Sequence, residues 1–167
     1  MKKLNLLKAF IDFVWIMALI TIPILIFFIG YLLISNEPFD IPIKMNGVKI
    51  TVLNLTTKLV LLFASLSYLT IVYSLYFTKK LLKLFQLKII FDDKVIHHFN
   101  KIGVLFIVSG FLAGVPVFIY KIIIREISIE IGSNPFLYLV SLGLFSMVLS
   151  EVFKIAKTMK EENELTL

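Results

Sequence analysis

Residues 13–36 read FVWIMALITIPILIFFIGYLLISN and carry no charge. An α-helix rises 1.5 Å per residue, so about 20 apolar residues cross a hydrocarbon core of about 30 Å. This run is long enough to do so. Three more charge-free runs follow at Leu59–Thr78, Ile102–Tyr120 and Ile131–Ser150. Together they predict an all-α membrane protein with four transmembrane helices, roughly 9–35, 57–85, 93–124 and 135–159, in one integral domain over 1–167. Hydrophobic residues make up 59% of the chain and charged residues 17%, a balance foreign to soluble domains.

Composition excludes several chemistries. There is no cysteine, which removes disulfides, thiolate metal sites, cysteine nucleophiles and lipoprotein acylation. Lys2, Lys3 and Lys8 ahead of an apolar run resemble a signal peptide. A signal core is only about 7–15 residues and ends at small residues. Here the run continues to Tyr31-Leu32-Leu33-Ile34, so an uncleaved first helix is expected. The abundance of Ile, Phe and Lys suggests an AT-rich bacterial genome.

The cations set the expected orientation. With four spans, one side holds Lys2, Lys3, Lys8, Lys79, Lys80, Lys83, Lys88, Lys94, Lys101, Lys154, Lys157 and Lys160. The other holds Lys44, Lys49, Lys58, Lys121 and Arg125. Lys and Arg in short loops favour the cytoplasm, so both termini are expected inside a bacterial cytoplasmic membrane. The net charge of +6 then lies mainly on the inner face and suits anionic lipid head groups. Lys79, Lys80, Lys83 and Lys88 form the expected lipid or partner surface; basic residues confined to short loops at the membrane do not suit nucleic acid.

The first outer loop is patterned. Ile41, Ile43 and Met45 alternate with polar residues, Asn46-Gly47 follows, and then Val48, Ile50 and Val52 alternate again. Asn-Gly between alternating runs predicts a two-residue hairpin turn, because both turn residues accept positive φ. A hairpin over roughly 40–53 is therefore expected, with Ile43 opposite Ile50 and Lys44 opposite Lys49. Ile127–Ile131 also alternates, flanked by Glu126 and Glu130. Added to the hairpin it makes a small three-stranded extracytoplasmic cap; the alternative is that 125–131 prolongs helix three.

Polar residues within the spans are the candidate sites. Ser67, Thr70 and Ser74 share one face of helix two. Gly110 and Gly114 form a G-x-x-x-G on helix three, which lets helices approach closely. Packing within the bundle, a polar translocation path and a homodimer seam are the competing readings. Pro23 and Pro116 are expected to bend their helices. Asp12 reads either as an intramembrane carboxylate or as an interfacial acid near Lys8, and Glu151 as a surface partner of Lys154 or a relay. Asp93 and His97 stand at i, i+4, but two ligands make a poor metal site. Metalloprotease, P-loop and nucleophile-elbow motifs are missing, so no catalytic, cofactor or metal residue is assigned. No ionisable residue stands mid-span, which weighs against an ion-coupled carrier. At the C-terminus the helix is expected to stop near Met159, with Glu161, Glu162 and Glu164 docking on the lysines of the 79–101 loop.

Two segments carry a resemblance. One is Phe91-x-x-x-Val95-x-x-x-Phe99-x-x-Ile102-Gly103; the other runs from Phe153 to the C-terminal Met159-Lys160-Glu161-Glu162-Asn163-Glu164-Leu165-Thr166-Leu167. With four helices and a long first outer loop, the chain resembles the bacterial membrane-protein family called domain of unknown function 2975. The family pattern often has Ser or Thr after the Phe and Asn near Val95, where Asp92 and Val95 stand here. The resemblance implies a four-helix membrane protein without an established activity, and in several bacteria the neighbourhood of small helix-turn-helix regulators. The expected function is a non-enzymatic sensing or regulatory membrane component with a protein regulator as partner; the alternative is a small transporter or an immunity-type protein.

Overall fold

The computed structural model describes residues 2–35, 43–45, 48–50, 53–125 and 135–165. The elements are α1 (Lys2–Ile34), β1 (Ile43–Met45), β2 (Val48–Ile50), α2 (Leu55–Gln86), α3 (Asp93–Ile123) and α4 (Pro135–Leu165). All four helices are long and apolar enough to cross a membrane, and the fold is that of a multi-pass membrane protein. α1 begins at Lys2 rather than near residue 9, and α4 runs to Leu165 rather than stopping near Met159. Both extensions are polar stretches that make helical turns beyond the charge-free runs.

Side chains and backbone fix the helix ends. Asn54 caps α2 by accepting from the Thr57 amide at 2.8 Å. Asp92 caps α3, accepting from the Lys94 amide at 2.8 Å, and Asp93 follows in the first turn, where the helix dipole favours an acid. α2 closes with the Lys88 amide donating to Phe85 O at 3.1 Å and the Ile89 amide to Leu84 O at 3.0 Å. That pair of bonds needs a left-handed residue at position 88, normally glycine. Lys88 takes it, with φ of 60°.

The helices pack in chain order, α1 on α2, α2 on α3 and α3 on α4. Contacts of Asn5 with Gln86, Asp12 with Lys79 and Asp93 with Lys157 place both termini and the α2–α3 loop at one end, called here the terminal end. Because α1 and α4 flank the row, few of their residues are buried: Ala18 and Leu32 on α1, Gly143 and Ser150 on α4. Their apolar outer faces, such as Phe27 and Phe145, suit lipid. Both Pro23 and Pro116 lie inside continuous helices.

β1 and β2 pair antiparallel in the register Ile43↔Ile50, Lys44↔Lys49 and Met45↔Val48. The ribbon is three residues long on each side. A cap over the bundle is not supported. The third strand expected at Ile127–Ile131, and the Lys–Glu pairings drawn with it, lie outside the described residues. α3 itself ends before them, with Arg125 left-handed at φ 56°.

Candidate functional site

The polar line of α2 is spent on helix packing. The Ser67 and Ser109 hydroxyl oxygens are 2.8 Å apart and reach each other's backbone carbonyls at 2.9 and 3.1 Å. Thr70 donates back to Ser67 O at 2.7 Å, and Ser74, fully buried, donates to Ile71 O at 2.7 Å. Such local bonds satisfy a hydroxyl in hydrocarbon without a partner from outside. An open apolar groove of about 550 Å³ lies between α2 and α3 in the other half of the molecule, lined by residues such as Leu59, Phe63, Phe111 and Ile119. Ser67, Thr70, Ser74 and Glu151 do not line it. Glu151 is exposed and makes no ion pair with Lys154 among the described residues.

Gly110 and Gly114 face α4. A Cβ on Gly114 would come within 2.8 Å of the Phe136 ring, and one on Gly110 within 3.2 Å of Val140. The tightest approach was missed in the sequence. A Cβ on Gly103 would meet Gly143 O at 2.6 Å, and one on Gly143 would meet Gly103 O at 2.7 Å. Here the backbones of α3 and α4 touch. Gly103 stands seven residues before Gly110, on the same face, which is the signal that could have found it. Ser109 was also legible, as the only Ser or Thr in the run Ile102–Tyr120.

The two segments that carry the family resemblance meet at the terminal end. Val95 and Ile102 are buried with Phe77 and Leu81. Phe99 stacks on Phe153 at 5.1 Å, and Phe85 lies 6.1 and 5.9 Å from them, so one aromatic seam ties α2, α3 and α4. Ser150 donates to Ile96 O at 2.8 Å. Their spacing is therefore a packing pattern.

A family model described as "Protein of unknown function (DUF2975)" matches residues 5–167. The chain belongs to this family. No curated protein matches it, and no solved structure does.

Family membership assigns no chemistry, so the charged groups at the terminal end have to be read directly. Asp12 pairs with Lys79 at 3.0 Å, across α1 and α2. The carboxylate oxygen that faces Lys79 is screened from solvent and makes no aligned hydrogen bond, so the ammonium charge is its compensation. Trp15 on α1 lies 5.9 Å from Tyr76, and Lys80 sits over the Tyr76 ring at 4.3 Å. Lys101 on α3 sits over Phe77 at 5.0 Å, and the His98 ring is 5.5 Å from the same Phe77. His98 lies outside the charge-free run. Burial lowers its pKa, and His97, Lys80 and Lys101 lower it further.

The C-terminal extension behaves differently from expectation. Lys157 reaches Asp93 at 2.6 Å and Glu161 at 3.6 Å, and Lys160 reaches Glu164 at 3.5 Å. Two of the acids thus pair along their own helix, which i, i+4 spacing favours over reaching to the 79–101 loop. Asp93 is engaged by Lys157. Lys83 is exposed, and Lys88 is turned outward on its left-handed backbone.

Proposed function

We propose that the chain is a non-catalytic component of the bacterial cytoplasmic membrane that presents its terminal end to a protein regulator. Both termini lie in the cytoplasm, as the distribution of Lys and Arg requires, and the β1–β2 ribbon lies outside. The observation that carries the reading is the division of polar groups. The hydroxyls within the α2–α3 contact satisfy one another or their own helix, whereas Lys83, Lys88 and the α4 surface beyond Ser150 stay exposed at one end. A translocation path would need the buried hydroxyls along a polar cavity. They bond instead to one another or to backbone carbonyls, which favours a partner-binding role over a small transporter.

In-cell photocrosslinking tests this. A probe at Glu161, on the α4 extension, should yield a discrete adduct with one cytoplasmic protein, and a probe at Phe145, on the apolar face, should not. The Glu161 adduct should disappear when Lys154 and Thr158 are replaced by Ala. Absence of any adduct from Glu161, or solute flux through proteoliposomes of the purified chain, would overturn the proposal.

A further inference from the structure

The cations of the terminal end do not share one fate. Lys79, Lys157 and Lys160 have carboxylates within 4.0 Å. Lys80 and Lys101 have none among the described residues; each rests on an aromatic ring instead. The two come from different helices and meet at one place. Lys80 is three residues after Phe77, on the same face of α2. His98 and Lys101 are three apart on α3, and both contact Phe77. The buried Phe77 ring lies under Lys101 and His98, and the Tyr76 ring under Lys80 stands 5.5 Å from it. Packing puts the two ammonium groups on neighbouring rings, and among the described residues no carboxylate lies within 4.0 Å of either. His98 Nδ1 is screened from solvent and has no hydrogen-bond partner.

The level of the cluster along the helices identifies its ligand. The charge-free run of α2 ends at Thr78, and that of α3 begins at Ile102. Lys80 and Lys101 are therefore the first cations beyond the hydrocarbon span on this face. Trp15 and Tyr76 lie beside them, as interfacial aromatics do. A phosphate at this depth belongs to a lipid.

We propose that Lys80, Lys101 and His98 form a binding site for the phosphate of an anionic phospholipid, held at the head-group level between α2 and α3. The aromatic rings hold the two ammonium groups in place before the lipid arrives, which lowers the ordering needed on binding. Burial is the main cause of the lowered pKa of His98, and the neighbouring His97, Lys80 and Lys101 lower it further. This inference rests on the helices crossing a membrane and not on which way they cross it or on a protein partner. The partner reading can fail while this one stands.

Trp15 is the only tryptophan and lies one ring from Lys80, so it reports on the site. The full-length protein is reconstituted in phosphatidylcholine vesicles with a minor share of phosphatidylglycerol, and either lipid is brominated in its chains. Brominated phosphatidylglycerol should quench Trp15 beyond its share of the bilayer. Each lysine at an anionic surface contributes a factor of about five in lipid preference. Lys80→Gln should lose about that, and Lys80→Gln/Lys101→Gln nearly all of the preference. The Lys80→Arg/Lys101→Arg variant should retain it. The Lys3→Gln/Lys154→Gln variant removes the same charge from the same end and should also retain it. Equal loss in that control would reduce the effect to general surface charge and overturn the site. Equal quenching by the two lipids in the wild type would overturn it too. Inorganic phosphate added to phosphatidylcholine vesicles should leave Trp15 unchanged; a saturable response would assign the cluster to a soluble phosphate and refute the lipid.

Discussion

Replacing Gly103 or Gly143 by alanine should separate α3 from α4 at the point where their backbones touch. The new methyl would stand 2.5 Å from Met147 Cγ and 2.6 Å from Gly143 O in the first case, and 2.6 Å from Ile107 Cγ1 and 2.7 Å from Gly103 O in the second. A side chain can rotate aside, but a carbonyl within a helix cannot. The helices must therefore move apart by roughly half an ångström or more, with loss of packing on both. Overpacking of this kind costs about 1–3 kcal/mol, and a fixed backbone obstacle puts these sites near the upper end. Alanine recovers up to about 1 kcal/mol of helix propensity over glycine. The net loss expected is about 2 kcal/mol for each variant. The double variant should lose less than the sum of the two, because one displacement relieves both contacts. Gly30 is the control: nothing lies within 4 Å of a Cβ there, so Gly30→Ala should be neutral or slightly stabilising. Reversible unfolding in mixed detergent, followed by circular dichroism, measures all four. Losses below about 0.5 kcal/mol for Gly103→Ala and Gly143→Ala, or strict additivity, would refute close backbone packing of α3 on α4.

Three further outcomes follow from the same geometry. Ser109→Ala should destabilise by about 1 kcal/mol in the same unfolding assay, and adding Ser67→Ala should cost little more, since the two hydroxyls serve each other. Lys88→Gly should stabilise by about 0.5–1 kcal/mol, because relief of the left-handed lysine backbone outweighs the extra freedom of glycine in the unfolded chain. The hydrogen bond to Asp93 raises the pKa of Lys157. A raised lysine pKa means that whatever the pair contributes is complete below the ordinary lysine range and fades as pH climbs above it. The melting difference between the wild type and Asp93→Asn should therefore stay constant around neutral pH and vanish only under strongly alkaline conditions.

The four helices were legible because hydrocarbon tolerates no charge: apart from Ser35, the described residues of each charge-free run lie inside one helix. Asp92 and Asp93 mark one helix start, where acids suit the helix dipole, whereas the capping role of Asn54 was not read from the sequence. Packing was harder to read. Gly110 and Gly114 stood out as a motif, whereas Gly143 is a single glycine whose partner lies on another helix, and only the crossing of α3 and α4 gives it meaning. Asp12 was read beside Lys8 and pairs in the fold with Lys79, and Lys157 reaches Asp93 on another helix, since helix packing brings distant sequence together. The aromatic rings under Lys80 and Lys101 were invisible for the same reason: charge spacing gives the sign of a surface but not which cations are already paired.

A cytoplasmic partner requires the terminal end to lie inside, and the direction in which the helices cross the membrane can be measured directly in a cysteine-free chain. Single cysteines at Asn46 and at Ile90 are exposed in intact cells to a thiol reagent that cannot cross the membrane. Asn46→Cys should be labelled at once, and Ile90→Cys only after the membrane is permeabilised. Labelling of Ile90→Cys but not Asn46→Cys in intact cells would place the terminal end outside and contradict a cytoplasmic partner.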